Sequence, residues 1–427
     1  MKKTITLLLT LFVTIPYTYA QTQAVNPEVK YRRSSLYTLM IHDETRPYAE
    51  VIRASFEKGP IPEKFNNHNL GNRVIPKTIM NNNVPELSNS SPRNKLKQNN
   101  NSGNNSQNIT AFLNENNVAR DIVAKWFNRS AKGGFNMDMI AERGKYDANA
   151  LDIAKAKASQ RGLETLADAG EELVRNTFIL VNDYNYVSKE EVAKKASGWL
   201  NAIGSVASSA GLGDVSATTS LTSAAVTVAG KGYVVKTTAH LYRLVWDEET
   251  AAIFYNDYWA DDKTITPEKK KAFDESKIFK LEYIGSDTSW ADVQSTVFTK
   301  KTEEELIEKA TVKAVDAVIV KLQKNHDEFK TKTPLFSGEP ISAKIGLKEG
   351  LTDKSKFDVL EQVVNKEGKT EYVVVGTIKV DDKLPIWDNR YGADEENPNS
   401  TEDRTYFKKV SGKDFYPGML IVQKKGK

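Results

Sequence analysis

The scarcest chemistry in the chain is imidazole. There are four histidines, His42, His68, His240 and His326. No two fall at metal-ligand spacing, and no His-Glu-x-x-His run occurs. His240 lies inside an apolar stretch and reads as a packed or half-exposed polar residue rather than a catalytic base. Cysteine is absent. That excludes disulfides, thiolate nucleophiles, cysteine metal sites and a lipid-modified cysteine. No Gly-x-Ser-x-Gly elbow, P-loop or dinucleotide fingerprint occurs. Gly230-Lys231-Gly232 is too short to cradle a phosphate.

Carboxylates are plentiful, but they cluster where loops are expected. Asp247, Glu248 and Glu249 sit at a turn. Asp381 and Asp382, then Asp394, Glu395 and Glu396, fall in C-terminal loops. Such clusters can bind calcium, yet none has the spaced EF-hand pattern, and solvated loops are the preferred reading. Trp246, Phe254, Tyr255, Tyr258 and Trp259 would suit a sugar platform. Aromatics beside a sheet are more often core, and that reading is preferred here. No catalytic, cofactor-binding or metal-ligating residue is assigned, and no cofactor is expected.

The elements that position everything else centre on Asn176–Val187. Phe178, Ile179, Leu180 and Val181 form a continuous apolar run, diluted later by Asn182, Asp183 and Asn185. This predicts a strand buried on both faces at its start. Leu163, Leu166, Ala167, Gly170, Leu173 and Val174 fall at helical spacing just before it. A helix running into a buried strand is an α/β element.

The chain has 427 residues, 39% apolar and 27% charged, enough for two or three domains. Its formal net charge is +4, and no long basic run occurs, which argues against a nucleic-acid protein. Met1–Ala20 has the layout of a secretory leader. Lys2 and Lys3 precede an apolar core over Ile5–Ile15, and Thr18-Tyr19-Ala20 offers small residues before a cut at Gln21. The run is too short to span a bilayer. The expected location is periplasmic or extracellular, with a peripheral outer-membrane association as the further option.

Residues 21–80 are polar and punctuated by proline, and they read as an arm packed on the later domain, with one short strand at Ser35–Ile41. Residues 81–108 hold eleven asparagines in 28 positions and read as a mobile linker without an apolar face. Helices are expected over Ile109–Arg129, Asp147–Ala158 and 163–175. Ala202–Ala229 is rich in small residues with one charge, Asp214. It reads as a soluble insertion in the central domain. The alternative is a pair of amphipathic strands from which an oligomer builds a membrane barrel.

Gly232–Trp246 and Ile278–Ile284 read as strands, the latter ending at Gly285-Ser286. Thr302-x-x-Glu305 is a capping box that opens the clearest helix. From Ser337 the spacing changes to period two. Five short strands are expected at Ile341–Ile345, Lys356–Val364, Thr370–Val380, Thr405–Val410 and Met419–Gln423. A hairpin turn is expected at Asn365–Lys369, and Tyr372, Val374, Gly376, Ile378 and Val380 share one face. That pattern suggests a small closed antiparallel barrel.

The runs TFILV at Thr177–Val181, LYRLVWDEET at Leu241–Thr250 and ATVKAVDAVIVKL at Ala310–Leu322 follow one another in a distinctive order. With VVVGTIKV at Val373–Val380 and FYPGMLIV at Phe415–Val422, this pattern resembles the curli-secretion channel subunit and envelope proteins of the flagellar-assembly T type. The resemblance covers residues 160–424. It implies a non-enzymatic envelope scaffold able to oligomerise. The chain departs from the curli subunit in lacking a lipid-bearing cysteine, and from both in its Asn-rich stretch. No functional residue of those families transfers.

The reading is an α+β protein with a helical N-terminal part, a central α/β sheet domain over 109–336 with an insertion at 202–229, and a C-terminal β-barrel over 337–427. Its expected role is non-enzymatic: an envelope scaffold or assembly component working through contacts with envelope proteins or copies of itself, without an integral membrane span in the monomer. The alternative is a secreted hydrolase or glycan-binding protein.

Overall fold

A computed structural model describes residues 34–81, 100–146, 172–188, 232–294, 301–364, 370–396 and 398–424. The expected leader at 1–20, the insertion at 202–229, the helix at 147–158 and the turn at 365–369 lie outside the described residues, as do positions 82–99 and 163–171.

The first body is a six-stranded sheet between two helical layers. β1 (Ser35–His42) runs parallel to β4 (Thr177–Ser188), with Ser35 beside Thr177 and Ile41 beside Asp183. On its other side β1 pairs with two short strands, β2 (Asn66–Asn67) and β3 (Val74–Pro76). β4 continues antiparallel to β5 (Gly232–Leu244), and β5 to β6 (Leu281–Gln294). Every residue of β1 is buried, because helices cover both faces.

One face carries Leu36, Phe178, Leu180, Ala239 and Leu241. They pack under α7 (Glu303–Asn325), while α1 (Ala49–Lys58) adds Ile52 and Phe56 beside Met40 and Tyr184. The opposite face carries Tyr37, Leu39, Ile41, Ile179, Val181, Tyr242 and Leu244. It packs under α2 (Asn100–Glu115) and α3 (Val118–Trp126), whose Ile109, Leu113, Ile122, Val123 and Trp126 complete that layer. α4 (Asp138–Tyr146), α5 (Glu248–Ile253) and α6 (Pro267–Asp274) lie between these strands and helices in the chain.

Three expectations change. The helical N-terminal part is not found: the described chain opens on β1, an internal strand of the sheet. The helices over 100–126 form one layer of that same body. From Ser35 to Pro76 the arm reading therefore gives way to membership of the sheet. The Asn-rich stretch ends inside α2. Asparagine disfavours helix interiors, but the tertiary contacts win. Asn108 Nδ2 donates to the Met80 carbonyl at 3.2 Å, and the Tyr242 hydroxyl donates to the Ser106 carbonyl at 3.0 Å. Finally, β6 does not stop at Gly285. A bulge at Ile284 shifts the register, and pairing resumes from Gly285 opposite Leu241 to Gln294 opposite Gly232. Glycine is needed because a Cβ would lie 2.4 Å from the His326 ring.

α7 starts as its residues require. Thr302 Oγ1 accepts from the Glu305 amide at 3.2 Å, and the Glu305 carboxylate accepts from the Thr302 amide at 2.8 Å. Removing the hydroxyl by Thr302→Ala should lower unfolding stability by about 1 kcal/mol, the usual worth of such a cap. Urea titration reads this, and an unchanged midpoint would show that the cap contributes nothing.

The second body is a closed antiparallel barrel of six strands, one more than expected. The extra strand is β7 (Thr333–Gly338), followed by β8 (Ile341–Ala343), β9 (Lys356–Val364), β10 (Thr370–Val380), β11 (Thr405–Gly412) and β12 (Leu420–Gln423). The circuit runs β10-β11-β8-β7-β12-β9. Leu335, Phe357, Val359, Ile378, Val380, Phe407 and Ile421 fill it. A bulge between Val374 and Gly376 breaks the single face expected along β10. Tyr372 packs with Leu360, Leu420 and Val422 in a separate outer cluster, and Val374 pairs with Leu360. Ile378 and Val380 point into the barrel core.

Candidate functional site

Each histidine is held by its own neighbours. His68 is wholly buried, stacked on Trp126 with ring centroids 4.8 Å apart. Its Nε2 lies 3.1 Å from the Ile122 carbonyl, and its Nδ1 lies 3.0 Å from the Arg143 guanidinium. A carbonyl can only accept and a guanidinium can only donate, so Nε2 carries the proton and Nδ1 accepts. Burial, reinforced by Arg143, pushes the pKa well down and keeps this ring neutral. Arg143 also donates to the Asn67 carbonyl at 2.9 Å and lies 4.6 Å from the centre of the Trp126 ring. Trp126 Nε1 donates to Thr177 Oγ1 at 2.9 Å. Both nitrogens of His68 are used, and the cluster clamps the end of β2 onto α3 and β4.

His240 is buried on β5, with Nδ1 3.4 Å from the Tyr283 hydroxyl. Burial lowers its pKa to about 4. His42 closes β1, with Nε2 3.3 Å from Glu50. His326 caps the end of α7 and lies 3.2 Å from Asp287.

The carboxylates singled out in the sequence also have local partners. Asp247 caps α5 by accepting from the Thr250 amide at 2.8 Å, and that hydrogen bond holds its carboxyl below the usual range. Asp381 lies 2.7 Å from Lys408, which also holds Asp382. Asp394 is exposed at the short helix α8 (Ala393–Glu396). Among the described residues no group of three or more His, Asp or Glu side chains is placed to hold a metal ion. The five aromatics are core. Phe254 is fully buried, 4.4 Å from Phe127 and 5.6 Å from Trp246 between ring centroids, and Tyr255, Tyr258 and Trp259 pack around them.

Two features escaped the sequence. The first is a small open crevice where the sheet body meets the barrel. Lys64, Gln323, Thr331, Glu349 and Gln423 contribute its polar lining. Lys64 Nζ donates to Gln323 Oε1 at 2.7 Å, and burial pushes its ammonium pKa down. Lys348 of the barrel body lies 3.7 Å from Asp316 on α7, so an ion pair ties the two bodies beside the crevice. No motif marks these residues, which come from distant parts of the chain.

The second is a ribbon projecting from the barrel. β9 and β10 stay paired from Lys356 opposite Lys379 to Val364 opposite Thr370. β12 reaches β9 only over Phe357–Leu360, and β11 reaches β10 only over Gly376–Val380. Beyond those limits the two strands run on alone among the described residues. The sequence signal was available in three successive β-branched residues, Val373, Val374 and Val375. Val374 is 61% exposed and Val373 39%. Among the described residues no helix is long and apolar enough to cross a membrane. Compared with models of protein families and with curated proteins, the chain matches none.

Proposed function

We propose that the chain is an exported, non-enzymatic component of the cell envelope that works by holding other protein surfaces. One observation carries the reading. Of the six large apolar side chains that stand exposed among the described residues, Val373, Val374, Leu384, Val410 and Tyr416 all belong to the barrel body. Exposed apolar groups gathered on one small module are a mark of contact surfaces. The leader-like start supplies the address, and the sheet body supplies a rigid mount for the barrel.

The test has two readouts. The intact mass of native protein should begin at Gln21. Photo-cross-linkers placed at Val410 or Tyr416 should capture neighbouring proteins in the envelope fraction, while the same group at Asp394 should not. Retention of Met1–Ala20 on cytoplasmic material, or equal capture from all three positions, would overturn the reading.

A further inference from the structure

The chain passes from one body to the other within a residue or two. Phe329 belongs to the sheet body, buried and stacked on Phe65 with ring centroids 5.2 Å apart. Gln323 Nε2 donates to the Phe329 carbonyl at 3.3 Å and to Thr331 Oγ1 at 3.2 Å, which pins the chain to α7 as far as Thr331. The next residue, Lys332, already lies over the Tyr372 ring of the barrel, 4.5 Å from its centre, and β7 opens at Thr333.

Beyond this junction the barrel rests on one stripe of α7. Lys348 lies 3.7 Å from Asp316, and the Tyr391 hydroxyl donates to Glu308 at 3.5 Å. Gly350 sits against Val320, and Gly392 against Lys309, where added Cβ atoms would lie 2.6 Å and 3.2 Å from Val320 Cγ1 and Lys309 Nζ. Glu308, Lys309, Asp316 and Val320 share one side of the helix by their spacing. Among the described residues, none of the five buried apolar clusters includes side chains of both bodies. Where the barrel approaches Val320 it presents a glycine, which has no side chain to bury.

The charges beside this seam are held at a cost. Burial raises the Asp316 carboxyl pKa although Lys348 and Lys64 oppose the rise, and burial lowers that of the Lys64 ammonium although Glu349 and Asp316 oppose the fall. In both groups lost hydration outweighs the attraction of the partners. Two bodies joined by a polar seam, without a shared core, move relative to each other unless something else holds them.

We infer that the barrel is a hinged module, which swings about the Thr331–Lys332 junction and leaves the polar stripe of α7 without opening either core. Water returning to Asp316 and Lys348 offsets the ion pair that is lost. The crevice beside Lys64 lies at the hinge and widens with the swing. Val410 and Tyr416 travel with the barrel and change direction relative to the sheet body. This inference does not depend on the contact reading, because it concerns how the barrel is carried and not what it touches.

The chain has no cysteine, so introduced thiols give a clean test. Nitroxide labels on Glu275→Cys and Lys413→Cys, both at exposed positions in different bodies, should report a broad or two-peaked distance distribution in the chain starting at Gln21. Labels on Glu275→Cys and Glu57→Cys, both in the sheet body, should report one narrow peak. Lys348→Glu sets a second carboxylate against Asp316 and should raise the open population at least threefold, with unchanged far-UV circular dichroism. A lock reads the same motion independently. Val320→Cys with Gly350→Cys places two sulfurs within disulfide reach across the seam. Trypsin should cut after Lys330 or Lys332 at least tenfold more slowly in the oxidised form than in the reduced form of that same variant, so the strain of a cysteine at the φ of 69° of Gly350 cancels. A single narrow distance between the bodies would overturn the inference. So would an open population that Lys348→Glu leaves unchanged, or equal cutting of the oxidised and reduced forms.

Discussion

A fragment beginning at Lys330 should unfold cooperatively, and one beginning at Ser337 should not fold. The difference is most of β7. Leu335 is buried in the barrel core, its amide donates to the Met419 carbonyl at 2.7 Å, and its carbonyl accepts from Gly418 at 2.9 Å. β12 pairs with β7 through Leu420 opposite Pro334 and Ile421 opposite Thr333. Cutting at Ser337 removes Leu335, a loss of about 2 to 5 kcal/mol by itself. It also opens the ring and leaves β8 and β12, of three and four residues, each short of a partner. A domain of this size has only about 5 to 15 kcal/mol in hand. Thermal melts followed by circular dichroism decide the matter. Equal two-state melting of both fragments, or failure of the longer one, would place the boundary elsewhere.

Mild acid should destabilise the chain through its buried histidines. His240 has its pKa lowered by burial from 6.5 to about 4. Between those values the unfolded chain binds a proton that the folded chain refuses, so stability falls as pH drops through that window. Below about 4 both states are protonated and the loss is complete. It amounts to about 3 kcal/mol from this one ring. His68, held neutral by burial and Arg143, adds a loss of the same sign. Carboxylates such as Asp274, lowered by its hydrogen bond with Arg129, act only below the ordinary carboxylate range. Urea titrations at pH 7 and pH 4.5 should therefore show a large drop, and His240→Gln should remove much of it. An unchanged drop in that variant would show that the ring is protonated in the fold.

The sequence was readable wherever one local signal agreed with the final environment. The Thr302 capping box marked the start of α7. The run Phe178–Val181 marked a strand buried on both faces, and all four residues are buried. Period-two alternation marked the barrel. Reading failed where tertiary contacts outweighed composition. Pro334 hid β7, because proline lacks the amide a strand needs, yet Pro334 sits opposite Leu420 in the ladder. Gly285-Ser286 looked like the end of a strand, yet both pair with β5 just past a bulge at Ile284 inside a 14-residue strand. The Asn-rich composition hid the start of α2. The Val375 bulge reversed a face that simple alternation kept constant. The projecting β9–β10 ribbon was the least legible feature. Nothing in a run of valines says which edge of a strand is left open, since that depends on where β11 and β12 stop.

β1 has a consequence for the order of events during synthesis. All eight of its residues are buried, and its long partner, β4, lies far downstream. A chain emerging from its start keeps this strand waiting until Thr177 and its neighbours arrive. Its second cover, α7, arrives later still. Pairings between distant parts of a chain are slow because loop closure precedes any gain. The sheet body is therefore built to stay loose until most of it has been made. For the export proposed above, that delay would keep the chain threadable, and it would come from strand order rather than from weak packing.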